Sequence, residues 1–216
     1  MKKIIWIVLI SIFIYSCQQS ELQFSCDPAI NEFVVDNQSA LSQISIFELV
    51  TYELPLQRAI FTSWDAEKKR NVWIDKLNHL ILNESFNKDE VDHIQKLINH
   101  IDVDYFLNEK TDKELELRLF FIREWLDYAT NQLGWSDLYI SFVVYRLYTE
   151  QSQMEDELSI LESLGTAITT DSAGCNCNME NNFCSGFVDC ISSGCTVTTK
   201  GCGWLLSESC DGSCNY

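Results

Sequence analysis

Cysteine is the residue type whose number and spacing carry chemistry in this chain. Eight of its ten cysteines, Cys175, Cys177, Cys184, Cys190, Cys195, Cys202, Cys210 and Cys214, fall in the last 42 residues. Such a cluster can oxidise to disulfides or present thiolates to a metal. Zinc sites draw thiolates in pairs two to four residues apart, with a second pair or histidines at matching spacing. Here only one residue separates Cys175 from Cys177, three separate Cys210 from Cys214, and no histidine follows His100. The spacing favours four disulfides within the tail over a metal, with the pairing left open.

Other chemistry is sparse. His79, His93 and His100 are the only imidazoles, and His79 lies on a different segment from the other two. The chain has no HExxH pair, no GxSxG elbow and no glycine-rich phosphate loop. Its 32 acidic residues offer carboxylate pairs by chance, and most read as solvated faces. We therefore expect no enzyme, name no catalytic residue and expect no cofactor. With 15 basic residues the net charge is −17, which disfavours nucleic acid as a partner.

Two physical regimes are joined to position these residues. No glycine precedes Gly134, whereas six of the eight lie from Gly174 onward, where tight loops between crosslinks need them. Residues 175–216 read as a small, disulfide-rich, loop-dominated module, because they hold too few apolar residues for a core of their own. Residues 27–164 read as a helical-bundle-like domain, making the fold mainly α. Asp27-Pro28 is a cap followed by proline at the first helical position, and Pro55 opens a short helix ending near Ser63. Ser45 with Glu48, Asn87 with Glu90 and Thr111 with Glu114 are capping-box patterns. Asp65 caps a segment carrying Trp73, Leu77, Leu80 and Ile81. Val91, Ile94, Ile98 and Ile101 form a helical stripe. Leu115, Leu119, Ile122, Leu126, Ala129 and Leu133 form a longer one, stopped by Gly134 and expected to be the centre of the domain. Residues 136–148 have strand-like composition but keep a helical face at Leu138, Phe142 and Tyr145, and are read as helix. Trp64, Trp73, Trp125 and Trp135 fit core positions better than a sugar platform. Residues 165–174, GTAITTDSAG, read as a linker.

The N-terminus directs the rest. Residues 1–16 combine Lys2 and Lys3 with an apolar run from Ile4 to Tyr15, the pattern of a signal peptide too short for a transmembrane helix. Ser16-Cys17 resembles a bacterial lipobox, which makes Cys17 a lipidated first residue of the mature chain and residues 17–26 a tether. Gln18 leaves out an inner-membrane retention signal, so an outer-membrane lipoprotein is expected, its face open. The membrane partner is then the lipid anchor. Export also supplies the oxidising compartment that disulfides require. Cys26 is either a buried free thiol, the favoured reading, or a partner of the tail.

The Cys175-Asn176-Cys177 start, the Phe183-Cys184 step and the run Gly201-Cys202-Gly203-Trp204 carry a resemblance. Residues 174–216 resemble fulvocin C, and the whole chain resembles the bacteriocin fulvocin C-related proteins of Bacteroidota. The wider gap between Cys210 and Cys214 departs from that pattern. The resemblance implies an antibacterial effector precursor whose tail is held or escorted by the helices and freed by cleavage in the linker. The tail's excess of acid over base argues against lysis by a cationic peptide, so an envelope or protein receptor would be needed. Phe183, Phe187, Trp204, Leu205 and Leu206 are the candidate contact patch, with core packing expected for about half of them. The competing expectation is a non-toxic binding or structural lipoprotein of the cell envelope, in which the disulfides serve stability. 

Overall fold

A computed structural model describes residues 23–25, 27–107, 111–164, 177–180, 184, 189–192 and 198–214. The signal peptide, Cys17, Cys26, the expected linker 165–174, Cys175, Cys195, Phe183 and Phe187 lie outside the described residues.

The fold is mainly α. Helices α1 (Pro28–Leu41), α2 (Ile46–Leu49), α3 (Leu54–Ser63), α4 (Ala66–Asn83) and α5 (Lys88–His100) come first. A 3₁₀ turn at Val103–Phe106 leads to α6 (Asp112–Asn131), α7 (Asp137–Val144) and α8 (Gln151–Leu164). The starts follow from side chains that satisfy the first free amides. Asp27 accepts from the amides of Ala29 and Ile30, Ser45 from Glu48 and Asp65 from Lys68. Asn87 with Glu90 and Thr111 with Glu114 close full capping boxes. Gly134, at φ +68, turns the chain after α6.

Burial departs from the expected stripes on two helices. On α6 the enclosed positions are Arg118, Ile122, Trp125 and Ala129, while Leu115 is exposed and Leu119, Leu126 and Leu133 are half-buried. The face is rotated because Trp125, at the same spacing, offers more apolar area than the leucines beside it. On α5, Leu97 is buried and Val91 only half-buried. α4 is more enclosed than α6: Val72, Trp73, Leu77 and Leu80 are buried, and so are Lys69 and Lys76. α7 is a helix despite its strand-like composition, since Ile140 through Val144 are all buried and apolar burial on every side masks the periodicity.

Two buried basic side chains hold the end of α7 in place. Lys76, fully enclosed, donates to the carbonyls of Phe142 and Val143 (3.0 Å), oxygens that the end of α7 leaves without helical partners, and to that of Arg146 just beyond the helix (2.5 Å). Burial, reinforced by the charge of Arg146, holds the Lys76 pKa well below the usual lysine range. Arg146 in turn grips Glu157 of α8 with two nitrogens at 3.0 Å.

The tail is a pair of small antiparallel ribbons. β1 (Cys190–Ile191) pairs with β4 (Ser213–Cys214), and β2 (Thr198–Cys202) with β3 (Glu208–Cys210). Between β2 and β3 the chain passes through a 3₁₀ turn at Trp204–Leu206. That turn belongs to the same apolar core as the helices. The boundary in composition is therefore not a boundary in packing.

Candidate functional site

The residues with the most distinctive geometry are those joining the tail to the helices. β2 lies against α3, and Gly201 (φ +106) packs so closely that a Cβ there would meet Thr62 Oγ1 at 2.9 Å. Gly203 (φ +64) faces the Glu208 side chain, which would come within 2.0 Å of a Cβ. Only glycine combines these backbone angles with such proximity. The next residues, Leu205 and Leu206, also have positive φ, both +53. A leucine in this region costs about 1 kcal/mol or more and persists only where its surroundings impose it. Two constraints are visible: Cys202–Cys210 closes the loop, and the apolar core takes up the side chains.

Trp204 and Leu205 are wholly inaccessible, and Leu206 is 4% exposed. The Trp204 ring meets Trp125 of α6 edge-on at 5.2 Å and Tyr145 at 6.0 Å. Trp73 of α4 donates its indole N–H to the Leu205 carbonyl at 2.8 Å. Ser207 turns back to donate to the Trp204 carbonyl at 2.7 Å, and an Arg118 nitrogen approaches the same hydroxyl at 3.5 Å. Arg118 is itself fixed, its guanidinium stacked 3.5 Å from the Tyr105 ring and donating to the Tyr105 carbonyl at 2.7 Å. Burial raises the Tyr105 and Tyr145 hydroxyls above the ordinary tyrosine range, so both are neutral here.

This placement corrects part of the expected contact patch. Trp204, Leu205 and Leu206 are not exposed, because the helices offer them a core that the small tail cannot. Sequence reasoning missed Trp73, Arg118, Thr62 and Ser207 as their partners. The available signal was the Trp-Leu-Leu triplet itself, a run of three large apolar residues preceded by glycine.

Three disulfides are present among the described residues: Cys177–Cys190, Cys184–Cys214 and Cys202–Cys210, with Cα separations of 5.9, 5.6 and 5.1 Å. They conform to ordinary disulfide spacing. The first two adjoin, bringing the Cys177, Cys184 and Cys190 sulfurs within 4.8 Å of one another. As disulfide sulfurs they are crosslinks rather than thiolate ligands. 

The histidines are dispersed among rings. His93 stacks on Trp125 at 4.3 Å and Tyr128 at 4.9 Å, and burial, helped by the charge of Lys96, pushes its pKa down to about 4. His100 stacks on Phe121 at 3.5 Å, and His79 meets Phe47 edge-on at 5.1 Å. Trp64, Trp73, Trp125 and Trp135 are all buried, as core residues are. An open groove of about 540 Å³ lies between α2 and the start of α4, rimmed by Phe47, Asp65, Glu67 and Asp75. Asp65 is committed there to capping α4. No helix among the described residues is long and apolar enough to cross a membrane.

No protein-family model, no curated protein and no solved structure matches the chain.

Proposed function

We propose that this is an exported, lipid-anchored protein of the cell envelope, a binding or structural module in which the cysteine-rich tail is a stapled part of one body. The observation that carries this reading is the burial of Trp204, Leu205 and Leu206 among the helices. Removing three such side chains from a core costs about 1.5–3 kcal/mol each, a sum comparable to the whole stability of a typical domain. A tail held this firmly is ill suited to release by cleavage of residues 165–174 alone. Three disulfides in so short a segment agree with an oxidising compartment. The apolar run ending at Ser16-Cys17 supports anchoring at Cys17. Outer-membrane placement follows from Gln18, as expected from the sequence.

The effector reading implied by the fulvocin C-related resemblance is tested alongside. Fatty-acid labelling and membrane fractionation should show the wild-type chain labelled and membrane-bound, and Cys17→Ser unlabelled and released. Released, oxidised full-length protein should inhibit no related strain. Unchanged labelling in the mutant would remove the anchor from this proposal. Selective killing by the released protein would replace the module reading with the effector one.

A further inference from the structure

The loop from Gly201 to Ser207 is joined to the helices by no crosslink among the described residues, yet the two fit as ligand and receptor. The loop supplies a large aromatic anchor, two leucines and one backbone acceptor. The helices supply Trp125 and Tyr145 around the anchor, the Trp73 donor for the Leu205 carbonyl and a glycine-width approach at Thr62. A buried tryptophan ringed by tightly packed neighbours is the usual form of an interface hot spot. Cys202–Cys210 ties the strands on either side of the turn and so reduces the freedom the loop would lose on docking.

We infer that the helical domain is a receptor for a disulfide-closed Gly-Trp-Leu-Leu loop, recognising it non-covalently and keeping the tail bound when the connecting chain is cut. The site formed by Trp73, Trp125 and Tyr145 accepts a free peptide of that chemistry in competition with the tail. This rests on the reading of the tail as a docked part of one body. It adds the ligand class and the requirement that Cys202 and Cys210 be joined.

The test places a protease site between Gly165 and Gly174 of the full chain and cuts the oxidised protein. One species should persist in native mass spectrometry and gel filtration. Two fragments should appear in denaturant without reductant, showing that no covalent link joins them. A synthetic peptide of residues 198–210, closed by its disulfide, should displace the tail. The same peptide carrying Trp204→Ala should need at least about thirtyfold more, and one carrying Cys202→Ser with Cys210→Ser about tenfold more. A second measurement covers a cut chain that aggregates. Uncut protein carrying Cys202→Ser and Cys210→Ser should bind the closed peptide at least about tenfold more tightly than wild type, whose site is filled. Separation on cutting, persistence only through a covalent link, equal potency of the closed and Trp204→Ala peptides, or no binding to the uncut variant would each overturn the inference. A chain that fractionates with membranes and kills nothing, yet sheds its tail when cut, would refute this inference and leave the envelope reading standing.

Discussion

Replacing Trp204 with alanine should destabilise the whole molecule, not only its tail. The side chain has no solvent exposure and stands between Trp125 and Tyr145, so its loss opens a cavity bounded by helices. Truncating a buried tryptophan costs about 3–5 kcal/mol when the site cannot collapse. Collapse is opposed here because Cys202–Cys210 and the close contact of Gly201 with α3 hold the loop in place. For a chain of this size each kcal/mol moves the melting midpoint by about 2–4 °C, so a fall of roughly 6–20 °C is expected. The assay is thermal and urea unfolding of the oxidised full-length protein, followed in parallel by far-ultraviolet circular dichroism, which reports the helices, and by tryptophan fluorescence. Leu82→Ala serves as the control, since Leu82 is 82% exposed and its truncation should stay within about 0.5 kcal/mol. If Trp204→Ala leaves the helical transition within that same margin, the tail is not part of the helical core and the reasoning fails.

Further consequences follow from the other buried polar groups. Lys76→Met should destabilise, because two carbonyls at the end of α7 and that of Arg146 beyond it lose their donor at about 1–3 kcal/mol each, offset in part by the lysine desolvation that is no longer required. Urea unfolding measures it, and a stabilised variant would show that the cost of burying the amine outweighs its hydrogen bonds. Glu157→Ala should cost about 3–5 kcal/mol by leaving the enclosed Arg146 beside Lys76 without its acid, read as loss of helix around α8 by hydrogen exchange. His93 stays neutral in the fold down to about pH 4, against an ordinary value of 6.5. The stability it contributes is therefore complete above about pH 6.5 and lost as pH falls toward 4, by about 2–3 kcal/mol. The difference in unfolding free energy between wild type and His93→Phe should show that slope, and parallel pH curves would contradict it. 

The starts of the helices were the most legible part of the fold, because a cap is a local event. Asp27, Asp65, Asn87 and Thr111 each act within three residues of their own position, and each caps the helix that the sequence places after it. The buried faces were less so. Periodicity told that α6 is amphipathic, but which side is buried depends on what stands opposite, and Arg118 is enclosed because Tyr105 and Ser207 receive it. Lys76 carried no local sign of its role, since its three acceptors lie 66 to 70 residues away. The cysteines announced crosslinks but not their order, and Cys175 and Cys195 lie outside the described residues. For the candidate site, the sequence pointed to the Trp-Leu-Leu triplet but left open whether it is exposed patch or core.

That ambiguity has a physical cause, which also explains why the two halves of the chain depend on each other. A short segment rich in cysteine and glycine was expected to replace burial with crosslinks. Crosslinks restrict the unfolded chain, but they do not remove the penalty of leaving a tryptophan and two leucines in water. The helices, for their part, have Trp73, Trp125 and Tyr145 arranged around a space that none of their own side chains fills. Docking meets both needs at once, through contacts such as Trp73 to Leu205 that span 132 residues. Closing so long a loop is entropically unfavourable and slow to find by chance. A loop already closed at Cys202–Cys210, with its two strands tied, has fewer conformations to lose on reaching that contact. Oxidation of this pair should therefore precede docking and accelerate it, so that the disulfide acts on assembly as well as on final stability.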